Sequence, residues 1–155
     1  QRPAGARTQI RTEFLRDARF RLFVSMEHPD LYMELVERIR EHRTHYTISL
    51  GLSELLANFS FVDEIEVEKK PSGGKAIDLD SAVPVRLVRE NGLRIAEGRH
   101  YRKERLPIVM DEERVVTAYE ECLFDMQGNH VTADVHYYWE GGSYRFFFLN
   151  ESGER

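Results

Sequence analysis

The chain has 155 residues, 41% of them apolar and 32% charged, which is typical of a soluble globular protein with one domain, or one domain and a small second half. No run of about 18 apolar residues occurs, so the sequence predicts no membrane-spanning helix. The formal net charge of −5 argues against a general nucleic-acid binder, because phosphate binding depends on cations.

The start of the chain and its single cysteine predict how the chain was produced and which cellular compartment it occupies. The first residue is Gln1 and no apolar stretch of the signal-peptide kind follows it, so we expect a cut or partial product. Cys122 is alone and cannot form an internal disulfide or a zinc cluster, which favours a reducing cytoplasm. We interpret Cys122 as a small buried apolar residue rather than a catalytic thiol.

The positive charges are clustered and are mostly arginine. The chain has 18 arginines and four lysines; residues 1–21 hold six arginines against two acids, and residues 86–105 hold six arginines and a lysine against three acids. A planar guanidinium suits phosphate and base contacts better than an ammonium. A genome rich in G and C would give the same bias, so both explanations stay open. Acids collect at residues 63–68 and 111–113, typical of solvated edges or of a face for a protein partner.

The first residues in chain order, 1–9, are rich in Arg, Pro and Gly and predict a loop or the tail of a hairpin. Residues 10–26 predict a strand, because apolar residues at even positions from Phe20 to Met26 alternate with a face that carries Arg19, Arg21 and Phe23. Arginines beside an aromatic on an open sheet face suit base stacking and phosphate contact. An ordinary solvated strand face fits the same pattern.

A helix is predicted from residue 28 to about residue 41 or 42. Pro29 suits the first helical position, and Asp30 complements the positive end of the helix dipole. The loop at 42–54 then combines histidines, an arginine, a tyrosine and hydroxyls with Gly51, which permits close approach of the backbone. A second strand is predicted at 59–68, and the turn at 69–74 is the best candidate for a domain boundary.

The remainder predicts strands. Residues 82–88 form a short apolar strand in which Pro84 indicates an edge or a bulge. Asn91-Gly92 predicts a hairpin turn leading into a strand at 93–96. Longer strands are expected at 114–124, 130–139 and 144–149, joined by turns at 127–129 and 141–142.

The order of these elements predicts an α+β fold. Strand, helix and strand followed by a β-rich tail is typical of the second half of a ferredoxin-like (RRM-like) domain with a β-rich C-terminal extension. We therefore divide the chain into a partial ferredoxin-like, RNA-binding domain at 1–70 and a β-rich C-terminal subdomain at 71–155.

Three segments, in order, resemble the Cas-five family of CRISPR-associated proteins. Residues 11–17 (RTEFLRD) run into 20–24 (FRLFV), and residues 28–32 (HPDLY) open the helix. Residues 46–57 (YTISLGLSELLA) are the most specific segment and are similar to the family pattern YTPYLGLSEFLA. Residues 80–84 (DSAVP) and 104–107 (ERLP) also resemble the family, and the sequence is most similar to subtype I-B. The family's amino-terminal strand and helix have no counterpart, and Ile48-Ser49 replaces its Pro-Tyr pair.

The resemblance implies a non-catalytic subunit of a type I CRISPR effector complex (Cascade) in antiviral defence, located in the cytoplasm. Such a subunit has an RRM-like core and a hairpin thumb, and it binds the 5′ handle of the crRNA. Its implied partners are the Cas-seven backbone subunit and the large Cascade subunit, with target DNA reached indirectly through the complex. No cofactor and no membrane is implied.

Seven residues are the candidates for RNA contact. Cations hold the backbone of single-stranded RNA, and aromatic or arginine planes stack on its bases. We expect phosphate contacts from Arg7 and Arg11 at the end of the thumb and from Arg19 and Arg21 on the sheet face. We expect the RNA handle to approach the backbone closely at Tyr46, Thr47 and Gly51.

Two other function classes remain open. In subtype I-C the family member cleaves the repeat RNA without a metal, and His42, His45 and Tyr46 are the cluster with acid–base chemistry for that reaction. Alternatively, the chain is an acidic protein-interaction domain without RNA, with residues 63–68 and 111–113 as its contact surface. A metal site is not expected, since the six histidines lack a ligand motif and six residues along one strand separate His130 from His136 by about 20 Å.

Overall fold

The computed structural model describes residues 18–50 and 54–151. Within these ranges it contains one helix, one short 3-10 turn and nine strands. In chain order they are α1 (Pro29–Arg40), β1 (Glu68–Lys70), β2 (Ile77–Leu79), β3 (Val83–Pro84), the 3-10 turn (Val85–Leu87), β4 (Val88–Arg94), β5 (Tyr101–Met110), β6 (Val116–Asp125), β7 (Val131–Val135), β8 (Tyr138–Gly141) and β9 (Tyr144–Phe146).

The strands form three small antiparallel sheets. Their strand orders are β1-β8-β9, β2-β7-β4 and β3-β6-β5. With one helix beside these sheets, the coarse prediction of an α+β, β-rich fold is confirmed, and its ferredoxin-like half stays a prediction. In the part of the chain that the structure describes, no helix combines the length and the apolar character that crossing a membrane requires.

The hydrophobic core lies in the second part of the chain. Its buried members all fall between residues 79 and 147: Leu79, Val83, Leu87, Val131, Ala133, Val135, Tyr138 and Phe147. The helix α1 contributes no buried residue. Strand β1, at the predicted boundary, pairs with β8, and the division into two parts at residue 70 stays a prediction.

The helix is confirmed, and its local signals act as expected. Pro29 occupies its first turn with Asp30, and arginines lie in its last turn. The chain leaves the helix through His42, whose φ is +57°. The His42 N–H bonds the Ile39 carbonyl at 3.1 Å and the Arg43 N–H bonds the Arg38 carbonyl at 2.8 Å. This is a Schellman motif, in which histidine takes the left-handed position that glycine usually fills.

The predicted strand over residues 10–26 is wrong for the part that is described. Residues 18–26 form no strand, and Leu22 is 83% exposed. The side chain that packs is Phe23, from the opposite face, and its ring stacks on Phe146 with centroids 3.9 Å apart. Alternation alone could not produce a strand here, because these residues have no strand partner among those described.

Two further strand predictions need correction. Residues 59–67 are not a strand, and regular pairing begins only at Glu68. Asn91 and Gly92 do not form a hairpin turn; they lie inside β4, where the register with β7 shifts between Val88 and Leu93. Asn91 has a φ of +55°, so the Asn-Gly pair makes a bulge in a continuous strand.

The strands after residue 100 agree partly with the sequence. The strand predicted at 114–124 is confirmed as β6, but its long partner β5 was not predicted. The segment predicted as one strand at 130–139 is divided into β7 and the start of β8, and the one at 144–149 ends early, as β9.

The turn at 127–129 is confirmed and is organised by Asp125. This buried carboxylate accepts the backbone N–H groups of Gln127 at 2.8 Å and His100 at 3.1 Å, and the side-chain amide of Asn129 at 3.1 Å. Burial by itself would raise the pKa of Asp125, but these hydrogen bonds outweigh it and lower that pKa. The ionised form of the Asp125 side chain therefore stabilises this turn.

Candidate functional site

Arg21 lies on an aromatic surface at β9. Its guanidinium carbon is 4.4 Å from the centroid of the Tyr144 ring, and Phe23 holds the segment in place by contacting both Tyr144 and Phe146. Arg19 and Arg21 are exposed, and neither has an ion pair within residues 18–50 and 54–151. An exposed guanidinium that has no acidic partner among the described residues and lies over a half-buried aromatic ring has the chemistry to contact a phosphate or to stack on a base.

Tyr144 was missed by the sequence analysis. It opens the aromatic run Tyr144-Arg145-Phe146-Phe147-Phe148, which indicates a core strand, and Phe146 and Phe147 are indeed buried. Tyr144 itself is only half-buried. No local signal in the sequence points to Tyr144, because its contact with Arg21 joins distant parts of the chain.

Tyr46 and Thr47 directly precede two paired segments, residues 48–50 and 55–57, which we call the narrow loop. The loop is closed by a bridge between Ser49 and Leu56 and by backbone hydrogen bonds from Leu50 to Leu55 at 2.8 Å and from Ala57 to Ile48 at 3.0 Å. Tyr46 is 77% exposed, so it is not a core aromatic. Thr47 is exposed as well. Both residues are therefore accessible to a ligand.

The seven predicted site residues fall into three groups. Arg7, Arg11 and Gly51 lie outside the described residues. Arg21 contacts Tyr144 of β9 and Arg19 lies two residues before it in the chain, while Tyr46 and Thr47 lie next to the narrow loop. No hydrogen bond, ion pair or ring contact between described residues joins the second group to the third.

The second arginine cluster, at residues 86–105, is largely neutralised. Four of its cations have acidic partners, in the pairs Arg86–Glu120 (2.6 Å), Arg89–Asp134 (3.5 Å), Arg102–Glu104 (2.5 Å) and Lys103–Glu121 (3.0 Å). The hydrogen bond that Arg86 donates to Glu120 raises the pKa of the guanidinium. The number of arginines in the sequence is therefore larger than the number of cations that are free to bind a phosphate on this surface.

The histidines of the proposed cleavage cluster have different environments. His42 ends the helix and stacks on Phe59, with ring centroids 4.4 Å apart and planes 2° from parallel. His45 contacts Tyr46 edge-on at 4.7 Å. An acid and a base must flank one scissile bond, and His42 is instead occupied by a structural role. His42 and His45 thus contact different aromatic rings, and the cleavage alternative stays a prediction.

Neither a reactive thiol nor a metal-binding group is found among the described residues. Cys122 is fully buried, as predicted, and its burial raises its pKa to about 11. A thiol in this state is a poor nucleophile. Within residues 18–50 and 54–151 no group of three or more His, Cys, Asp or Glu side chains is placed to hold a metal ion.

The acidic segments differ in how far they are paired. Glu64 is bound to Arg40 at 2.5 Å, and Glu68 contacts Lys70 at 3.4 Å. At residues 111–113, Asp111 accepts the backbone N–H of Val115 at 2.8 Å. The neighbouring acids at 112 and 113 are exposed and have no cation partner in the part of the chain that is described.

No protein-family model matches the sequence, and no curated protein and no solved structure matches it either. The resemblance to the Cas-five family therefore depends on the motifs themselves, and it stays a prediction.

Proposed function

We propose that the chain is a non-catalytic, RNA-binding subunit of a type I CRISPR effector complex and that it holds the 5′ handle of the crRNA. The order and spacing of its motifs support the proposal, above all YTISLGLSELLA at residues 46–57. Its partners in this proposal are the Cas-seven backbone subunit and the large Cascade subunit in the cytoplasm. Target DNA would be reached only through the assembled complex.

The single observation that carries the RNA-binding part is the Arg21–Tyr144 pair. Its guanidinium is exposed and lacks an acidic partner among the described residues, whereas the cations at residues 86, 89, 102 and 103 are paired. Because a salt bridge competes with a phosphate for the same N–H groups, unpaired arginines are the better RNA ligands. Two residues away, Arg19 is a second exposed guanidinium without an acidic partner among the described residues.

The narrow loop would supply the second contact. Tyr46 presents an exposed ring, and Thr47 presents a hydroxyl next to it. Stacking of one base on such a ring contributes about 1–3 kcal/mol. In the proposal the unpaired RNA handle contacts both the loop and the Arg21–Tyr144 pair.

The test is binding of a labelled crRNA handle to the full chain over a series of salt concentrations. We expect Arg19→Ala and Arg21→Ala each to weaken binding and to reduce the slope of log K against log salt by about 0.7, the value for one phosphate contact on a single strand. Tyr144→Leu and Tyr46→Leu should weaken binding with little change of slope. Arg102→Ala is the matched control, since Arg102 is exposed but paired with Glu104.

Two outcomes would contradict the proposal. If Arg19→Ala and Arg21→Ala bind like Arg102→Ala, the assigned surface is wrong. If the chain incubated with repeat RNA in EDTA releases a defined product, the non-catalytic assignment is wrong. In that case His45→Ala and Tyr46→Phe would identify whether the loop carries the reaction.

A further inference from the structure

The strands β5 and β6 continue beyond the rest of their sheet as a two-stranded ribbon. Strand β3 pairs with β6 only at Leu123 and Cys122, so from Glu121 to Val116 the partner of β6 is β5 alone within the described residues. We call residues 105–119 the β-arm. None of these residues is buried, so the β-arm makes no contribution to the core.

The β-arm exposes several large apolar side chains. Its most exposed large apolar residues are Val109, Met110, Val115 and Tyr119, between 42% and 57% exposed. A two-stranded ribbon is marginally stable in water, and apolar residues grouped on a surface mark interaction sites. Its register also shifts twice, around Val109, which is typical of bulges that re-aim side chains at functional edges.

Charge at the tip of the β-arm restricts what can bind there. Residues 109–116 contain three acids and one arginine, a local net charge of −2 (1 − 3). The other arginine of the β-arm, Arg105, lies at its base over the Tyr119 ring, 4.3 Å from the centroid. Asp111 is used in the turn by accepting the N–H of Val115, but Glu112 and Glu113 are exposed and without a cation partner in the described ranges. Such a tip repels phosphate groups, whether of nucleic acid or of an anionic lipid, and attracts lysine and arginine.

We propose that the β-arm is a docking element for a protein surface whose apolar centre is bordered by lysine and arginine side chains. The apolar residues of the β-arm bury against that centre, and Glu112 and Glu113 pair with the basic border. An apolar core with a charged rim is the usual anatomy of a protein interface. The proposal is independent of RNA binding, since the β-arm shares no residue with the Arg21–Tyr144 pair or the narrow loop.

Site-specific photocrosslinking of the full chain in its native cells tests the location and chemistry of the partner. We would introduce Met110→benzoylphenylalanine and compare it with Met126→benzoylphenylalanine, because both methionines are 57% exposed and only Met110 belongs to the β-arm. The expected result is a crosslink specific to position 110, to one protein whose crosslinked peptide, identified by mass spectrometry, contains apolar residues flanked by Lys or Arg. A crosslink to nucleic acid, to lipid or to a second copy of the chain would overturn the proposal. Equal crosslinking at positions 110 and 126, or none at 110, would overturn it as well.

Binding of the purified crosslinked partner then tests the apolar contact and the charge contact of the β-arm separately. Met110→Ser should weaken binding by about tenfold or more, as expected for the loss of one buried apolar side chain. The double change Glu112→Gln with Glu113→Gln should weaken binding by about three- to tenfold and flatten its salt dependence. Glu97→Gln is the control, because Glu97 is exposed outside the β-arm. If the double variant keeps the wild-type salt dependence, the basic border is refuted. Circular dichroism of each variant verifies that the fold is intact.

Discussion

Gly92 is the position where the structure predicts the sharpest cost of a small substitution. It lies buried in β4, and a Cβ atom there would be 2.5 Å from the Asp134 carbonyl oxygen and 2.9 Å from the Arg89 carbonyl oxygen. Both are backbone atoms, so no side-chain rotation relieves the contact. Gly92 does not have a positive φ, so the clash, and not backbone strain, is the cause of the expected loss.

Gly92→Ala must therefore separate β4 from β7 or distort the bulge. Overpacking of this kind costs about 1–3 kcal/mol, which corresponds to a fall in Tm of about 2–12 °C for a chain of this size. The measurement is thermal unfolding followed by circular dichroism. Gly141→Ala is the matched control: its two nearest contacts, Val67 Cγ1 at 2.8 Å and Ile65 Cδ1 at 2.9 Å, are side-chain atoms, and its backbone contact, the Glu66 carbonyl oxygen, is farther away at 3.2 Å.

The comparison of the two glycine variants decides the outcome. We expect Gly92→Ala to lose clearly more stability than Gly141→Ala. A Gly92→Ala protein that melts within about 1 °C of wild type would refute the close approach of β4 to β7 at this bulge. A larger loss for Gly141→Ala would refute the distinction between backbone and side-chain neighbours.

Two further predictions concern ionisable groups in the β-rich part. Burial raises the pKa of Cys122 from 9.0 to about 11, so at pH 8 only about one thiol in a thousand is ionised, against about one in ten for an ordinary thiol. Labelling of Cys122 by iodoacetamide, followed by mass spectrometry, should therefore be at least about 100-fold slower in the native protein than in urea. A native labelling rate within tenfold of the rate in urea would contradict this prediction. The lowered pKa of Asp125 gives stability that is complete above the unfolded carboxyl pKa and is lost as pH falls through the folded one. Asp125→Asn should therefore flatten the decline of Tm below about pH 4, while Glu90→Gln, an exposed control, should leave that decline unchanged.

The candidate site could be predicted from sequence only in its parts. Arg21 and Tyr46 were identified from residue type and spacing, and both are exposed. Tyr144 could not be identified, because its contact with Arg21 joins residues 123 positions apart in the chain (144 − 21). The same limit applies to charge: sequence counts Arg86 as a free cation, whereas the fold places Glu120 2.6 Å from it.

The helix and the turn at residues 127–129 were determined by the sequence itself. Each depends on residues within a few positions, such as Pro29 and Asp30 at the start of the helix, so local conformational preferences suffice. Only the tertiary structure decided that residues 18–26 are not a strand, that Asn91-Gly92 is a bulge and that β5 extends into the β-arm. A strand exists only when a partner supplies hydrogen bonds to its backbone, and that partner comes from a distant part of the chain.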